Sequence, residues 1–275
     1  MALLQVNYLS KSLCRLVPLN VVLPSDKMGP DRSGYILPKD YRFKTLYLMH
    51  GLFGNYTGWI TNTRIQRWAE DRNLAVVMPS GDNSFYVNGI TGNNDYGEFI
   101  GHELVEITRK MFPLSDKRED TFIGGLSMGG FGALRNGLKY SDTFSHIIAL
   151  SSAIHMFEFD ATQIIGENSV FGDLKEAAKS DKNPEVVLKQ LVDSGKKKPR
   201  IYMSCGTEDT LLDSNRRFRD LLLKNGFDLE YHERPGAHTW DYWDAEILPF
   251  LDWLPLEEAF VGAGDGNVQG TNRNQ

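Results

Sequence analysis

The stretch GGLSMGGFG, residues 124–132, decides the fold of this 275-residue chain. It contains a Gly-x-Ser-x-Gly motif centred on Ser127, with a short segment typical of a buried strand before it at residues 120–123 and a helix-like segment after it at residues 131–140. A buried strand, a sharp turn with a serine at its tip and a helix form a nucleophile elbow. Glycine is needed on both sides because the strained turn leaves no room for side chains. The alternative is a glycine-rich turn whose serine only caps the helix.

Strand-like and helix-like segments alternate on both sides of this motif. Such alternation predicts an α/β fold with a mostly parallel sheet flanked by helices, and the first two strands, joined by a polar turn, are predicted to form an antiparallel edge. The predicted strands are residues 3–8, 13–23, 45–50, 74–78, 120–123, 145–150, 200–205 and 229–234, and the predicted helices are residues 64–73, 98–112, 131–140, 214–225 and 246–253.

One α/β domain is predicted for residues 1–259, since a chain of this length can bury one large core. Residues 153–198 have no strong strand pattern, and their large apolar residues cluster in the first half. We therefore expect a cap-like insertion there that forms a small partial cap. Residues 260–275 are rich in Gly, Asn and Gln, which is typical of a disordered tail.

The composition excludes several classes of protein. A net charge of −6 argues against nucleic-acid or anionic-membrane partners, and no apolar run approaches the ~20 residues of a membrane span. The first residues lack the features of a signal peptide, which favours the cytoplasm. Cys14 and Cys205 lie far apart with no metal-ligand spacing, so no disulfide framework, metal or other cofactor is predicted. A homo-oligomer is compatible with all of this.

A serine nucleophile needs a general base, and in this architecture the order along the chain is serine, acid, histidine. His146 and His232 lie within predicted strands, which favours structural roles. His238 lies in the loop directly after the last predicted strand, where active-site residues of open α/β sheets collect. His238 is therefore the predicted base, and His155, at the start of the irregular region, is the alternative.

The orienting acid is expected at the end of the preceding strand, directly after residues 200–205. Asp209 is the predicted acid, and Glu208 and Asp213 are the alternatives. An aspartate at this place could equally cap the next helix.

An oxyanion hole completes the predicted site. The Met128 amide, next to the nucleophile at the start of a helix, would supply one donor. The glycine-containing loop at residues 50–54 would supply the other, with the Leu52 amide preferred and the Phe53 amide next. His50 is predicted to shape this loop by hydrogen bonding, because it precedes the serine in the chain and so falls outside the order expected of the base.

Five aromatic residues are candidates for a pocket that binds an apolar acyl group, although core packing is an equal alternative for each of them. They are Trp59, Phe85, Tyr86, Phe157 and Trp243.

Four sequence blocks occur in a familiar order: HGLFGN at residues 50–55 with Trp59, GLSMGG at 125–130, CGTED at 205–209 and GAHTWDYW at 236–243. In this combination, over residues 4–254, the chain resembles the esterase D-like family of α/β-hydrolases. It is most similar to the tributyrin esterase and acetyl/feruloyl esterase branch, with S-formylglutathione hydrolases as more distant relatives. The resemblance implies an α/β-hydrolase fold and cofactor-free hydrolysis of short-acyl esters. It also implies a site made of Ser127, Asp209, His238 and the amides of Leu52 and Met128.

The leading functional hypothesis is a serine carboxylesterase that hydrolyses small-molecule esters from acetyl to butyryl, including feruloyl esters and acyl-decorated carbohydrates. An acyltransferase would use the same triad with an alcohol or sugar as acceptor. A non-catalytic ligand-binding protein is disfavoured, because such proteins usually lack a triad or oxyanion element and none is missing here.

Overall fold

Eight strands form one sheet in the computed structural model, which describes residues 2–28, 34–158 and 170–256. The strand order is β1-β2-β4-β3-β5-β6-β7-β8. β2 is antiparallel to both of its neighbours, and every other pair is parallel, so the predicted antiparallel edge is present. The strands are β1 (Ala2–Ser10), β2 (Arg15–Leu23), β3 (Lys44–Met49), β4 (Leu74–Pro79), β5 (Thr121–Leu126), β6 (His146–Leu150), β7 (Arg200–Gly206) and β8 (Leu229–Arg234).

Helices cover both faces of this sheet. They are α1 (Gly58–Asn62), α2 (Ile65–Asp71), α3 (Tyr96–Glu98), α4 (Leu104–Met111), α5 (Met128–Lys139), α6 (Leu174–Ala177), α7 (Pro184–Ser194), α8 (Leu212–Lys224) and α9 (Trp240–Trp253). A π-helical turn (Phe99–Glu103) joins α3 to α4, and 3₁₀ turns occur at Arg118–Asp120 and Ile154–Phe157.

Two hydrophobic cores lie on opposite faces of the sheet. Leu46 of β3 packs into the core under α1, α2 and α9, whereas its neighbour Tyr47 packs into the core under α4, α5, α7 and α8. Successive side chains of a strand point to opposite faces, so a strand between two helical layers must be apolar throughout. This explains the continuous apolar run at residues 45–50.

The region between β6 and β7 divides into two parts. α7 packs against α5 and buries Val187, Leu188 and Leu191 in the core, so it belongs to the helical layer of the sheet. The short helical turn Ile154–Phe157 and α6 precede it. Residues 159–169 and the predicted tail at residues 260–275 lie outside the described residues.

Candidate active site

Ser127 stands at the turn between β5 and α5. Its backbone has φ +54° and ψ −117°, a conformation that is strained for any residue except glycine. A Cβ atom on Gly125 would lie 2.5 Å from the Gly129 carbonyl, and one on Gly129 would lie 2.4 Å from the Met49 carbonyl oxygen. Both glycines are therefore required by the close approach of backbone to backbone, as the elbow motif predicts.

A chain of hydrogen bonds connects three side chains from three strand ends. His238 Nε2 lies 3.0 Å from Ser127 Oγ, and His238 Nδ1 lies 2.9 Å from Asp209 Oδ2. The serine follows β5, the aspartate follows β7 and the histidine follows β8. Because the carboxyl ends of parallel strands meet at one edge of the sheet, residues separated by up to 111 positions come together here.

The Asp209 carboxylate fixes the protonation of the histidine ring. Burial raises the pKa of this carboxyl, but hydrogen bonds from His238 and from the Leu211 amide more than offset that effect, and the pKa lies below its ordinary value. An ionised carboxylate only accepts hydrogen bonds, so Nδ1 of His238 carries the proton. Nε2 is then free to accept the hydroxyl proton of Ser127.

The alternative acids have other partners. Glu208 is bound by the Gly236 amide and the Thr207 hydroxyl, so it closes the loop that carries the histidine. Asp213 is an exposed residue of α8 that lies 3.7 Å from Arg216.

The histidine alternative, His155, lies in the turn after β6. It is close enough to His238 and Asp209 to feel their charges, and burial lowers its pKa. Ser127 Oγ is bound to His238, which the structure therefore places as its partner.

The predicted oxyanion loop lies directly beside the serine. A Cβ atom on Gly51 would lie 3.4 Å from Ser127 Cβ. The Phe53 amide is engaged, because it donates to Asn83 Oδ1 at 2.9 Å. Within the described part of the chain, the amides of Leu52 and Met128 donate to no protein group. Of the two loop candidates, Leu52 is thus the one with a free donor.

The His50 side chain connects the loop at residues 50–54 to Gly81 through two hydrogen bonds. Its Nε2 accepts a hydrogen bond from the Gly81 amide at 2.8 Å, so its Nδ1 carries the proton and donates to the Gly51 carbonyl at 2.7 Å. Burial lowers the pKa of this imidazole, which favours the neutral form. A trans peptide directs its C=O and N–H in opposite directions, so the bond to the Gly51 carbonyl also fixes the direction of the Leu52 N–H.

The predicted pocket aromatics mostly pack in the core. Trp59, Phe85 and Tyr86 are at most 1% exposed, so in this structure they present no surface to a ligand. Trp243 is buried behind the site, with its ring 4.9 Å from the His238 ring and edge-on to it. Phe157 is partly buried and packs against other rings. Core packing, which the sequence left as the alternative for each residue, describes the first four, and Phe157 packs against the edge of the core.

Sequence reasoning missed several residues that surround the site. Asn83 binds the loop at residues 50–54 through the Phe53 amide, and it also lines a cavity of about 180 Å³. The exposed ring of Phe53, at 76% of its surface, stands on the same loop. The cavity is lined by Asp82, Asn83, Ser84, Val87, Gly89, Asn94, Tyr96 and Val170. Its carboxylate, amide and hydroxyl groups are suited to hydrogen-bonding a polar molecule.

Residues 10–254 match the model of the family described as putative esterase. The chain belongs to this esterase family. An acetyl esterase of Caldicellulosiruptor saccharolyticus is 41% identical over 263 residues, which span 92% of this chain and 98% of the relative. The structure of FphF, a fluorophosphonate-binding serine hydrolase of Staphylococcus aureus, matches with a TM-score of 0.81 at 30% identity, covering 92% of this chain and 98% of that one. The diacylglycerol acyltransferase/mycolyltransferase of Mycobacterium leprae is more distant, at 24% identity over 89% of this chain and 83% of its own.

Membership of the esterase family confirms the predicted resemblance and the α/β-hydrolase fold, and the chain is a serine hydrolase of carboxylic esters. Among the described residues of this esterase, no helix is long and apolar enough to cross a membrane. The same residues contain no cluster of three His, Cys, Asp or Glu side chains that could hold a metal ion.

Proposed function

We propose that Ser127, His238 and Asp209 are the nucleophile, general base and orienting acid of a cofactor-free esterase. Ser127 Oγ attacks the ester carbonyl while His238 Nε2 takes its proton and then passes it to the leaving alcohol. The same nitrogen then deprotonates a water molecule, which attacks the acyl carbon; the bond to Ser127 Oγ breaks, the acid leaves, and the proton passes from Nε2 back to Oγ. The hydrogen-bonded chain from Ser127 Oγ through both ring nitrogens to Asp209 is the observation that carries this assignment.

The amides of Met128 and Leu52 are the proposed oxyanion donors. Met128 is the first residue of α5, so its N–H points out of the helix and the helix dipole favours negative charge there. The two donors would bind the carbonyl oxygen most strongly when it carries the charge of the tetrahedral intermediate.

Short-acyl esters are the proposed substrates. A relative that covers nearly the whole chain is an acetyl esterase. In the described part of residues 153–198, every large apolar side chain is at least partly buried, which supports a partial cap without a broad apolar lid. The carboxylate, amide and hydroxyl groups in the cavity beside Asn83 would suit an alcohol such as a sugar, and acyl transfer to such an acceptor rests only on distant relatives. A cytoplasmic location is also proposed. Cys14 and Cys205 are both free, which is typical of proteins in the reducing cytoplasm, and cell fractionation would test this location.

The experiment is hydrolysis of p-nitrophenyl acetate by variants paired with controls. Ser127→Ala and His238→Ala should each lower kcat by several orders of magnitude, and the double variant should be little worse than either, because the residues act as a unit. His232→Ala is the matched control, since this histidine lies in β8 and is bound to Glu230. If His238→Ala kept more than about a tenth of the wild-type kcat, only ~1.4 kcal/mol of barrier, the assignment of the base would be wrong.

A further inference from the structure

The outer edge of β1 has the features of a surface that another strand covers. β1 ends the sheet and pairs with β2 through nine consecutive residue pairs without a bulge, so its other edge has no partner among the described residues. Its sequence, ALLQVNYLS, contains no charge and no proline. Proteins usually protect exposed edges with charges, prolines or bulges. β8, at the opposite edge, follows that rule with Glu230, Glu233 and Arg234.

Exposed apolar side chains lie on β1 and on the adjacent end of β2. Leu3 and Leu9 of β1 are 44% and 69% exposed, and Leu16, which pairs with Leu9 across the hairpin, is 68% exposed. The hairpin is held rigidly, because Glu103 accepts hydrogen bonds from the Ser10 hydroxyl and from the turn amides that follow it. β1 is therefore a preformed template for a partner strand.

The sequence of β1 is also a chemical palindrome centred on Val6. Residues at equal distances from Val6 are chemically alike. From the ends inward, the pairs are two small residues, two leucines, a leucine and a tyrosine, and two side-chain amides. The pairs are Ala2 with Ser10, Leu3 with Leu9, Leu4 with Tyr8, and Gln5 with Asn7. In an antiparallel pair of identical strands related by a two-fold axis at Val6, these are the residues that lie opposite each other.

We propose that two copies of this chain associate through β1, antiparallel and in this register, to form a continuous sixteen-stranded sheet. Leu3 of one copy packs against Leu9 of the other, with Leu16 beside it. The Gln5 side chain donates to the Tyr56 hydroxyl within its own chain, which leaves its amide oxygen to accept from Asn7 of the second copy. β5, which directly precedes Ser127, is separated from β1 by three strands, roughly 19 Å across the sheet, so the interface leaves the candidate active site open.

Sedimentation velocity over a wide range of concentrations, with activity as the test of folding, checks this proposal. The wild-type chain should sediment at about twice the 31.1 kDa mass of one copy. Leu3→Glu and Leu9→Lys should each shift the protein to monomer with unchanged kcat per site. Leu223→Lys, which changes an exposed leucine on α8, is the matched control and should remain dimeric.

Mixing Leu3→Glu with Leu9→Lys tests the register itself. Residue 3 of one copy lies opposite residue 9 of the other, so the mixture should recover a heterodimer in which one glutamate meets one lysine and the other pair is leucine with leucine. A monomeric wild type, a dimer that persists in both single variants, or the absence of a heterodimer in the mixture would each overturn the proposal.

Discussion

His50→Phe should impair catalysis although His50 is not a member of the proposed triad. Phenylalanine keeps a ring beside Tyr86, whose ring centroid lies 5.8 Å from that of His50, but it removes the bonds to the Gly81 amide and the Gly51 carbonyl. The Gly51 carbonyl keeps its hydrogen bond from the Gly54 amide at 3.2 Å, so only the buried Gly81 amide is left unpaired, and we expect a loss of about 1–3 kcal/mol in the free energy of unfolding.

The effect on the rate follows from the peptide between Gly51 and Leu52. Without the 2.7 Å bond from His50, the Gly51 carbonyl is held only by the longer bond from the Gly54 amide at 3.2 Å, so this peptide can rotate more freely and turn the Leu52 N–H away from the oxyanion. Complete loss of one oxyanion donor costs about 100- to 1,000-fold in kcat. The bonds from the Gly54 amide to the Gly51 carbonyl and from the Phe53 amide to Asn83 remain and keep part of the geometry, so we expect a fall of roughly 10- to 100-fold.

Kinetics with p-nitrophenyl acetate and urea unfolding of the same preparations would measure both effects. KM should change little, since the lost interaction belongs to the transition state. His232→Phe makes the same change at a histidine of β8 and should keep kcat within about twofold of wild type. A His50→Phe enzyme that is less stable but has an unchanged kcat would refute the proposed dependence of the oxyanion hole on the hydrogen bonds of His50.

Four further outcomes are expected. Asp209→Asn should lower kcat by about 10⁴-fold, because an amide donates to Nδ1 and leaves the proton on Nε2 of His238, whereas the control Asp213→Asn should be near normal; equal effects would exclude Asp209 as the acid. Burial lowers the pKa of His146 from 6.5 to about 4, so the folded chain loses stability as pH falls through this window, by about 2.5 kcal/mol near pH 4.5. His146→Gln should remove that loss in urea titrations at pH 7 and about 4.5, and an unchanged acid sensitivity would disprove the cause. Acetyl to butyryl p-nitrophenyl esters should be hydrolysed well and emulsified long-chain triglycerides poorly, with efficient turnover of the latter contradicting a partial cap. EDTA should leave the rate intact while a fluorophosphonate labels Ser127, and activity lost to EDTA and restored by a divalent ion would contradict a cofactor-free site.

The strands and the order of the site residues could be predicted because both depend on local patterns. An apolar run between turn residues identifies a buried strand, and a residue directly after such a strand must lie at the carboxyl edge of the sheet. Helix ends were harder to predict. α9 begins at Trp240, six residues before the predicted start at residue 246, because Trp240 and Trp243 already lie on its buried side, where they pack with Trp59 and His238. In the sequence Trp243 was equally consistent with a pocket.

The aromatic residues show why a pocket could not be read from the sequence. The indole N–H of Trp59 donates to the Met49 carbonyl, and the hydroxyl of Tyr86 donates to the His50 carbonyl. Both carbonyls lie at the carboxyl end of β3, where the chain leaves the sheet and its backbone groups lose their strand partners. The side chains must therefore be large enough to reach these carbonyls through the core and polar enough to bind them, which are the same properties that a substrate pocket selects. Only the contacts in three dimensions distinguish the two roles, and here Trp59 and Tyr86 bind the backbone at the start of the loop at residues 50–54 and hold its first peptides in position.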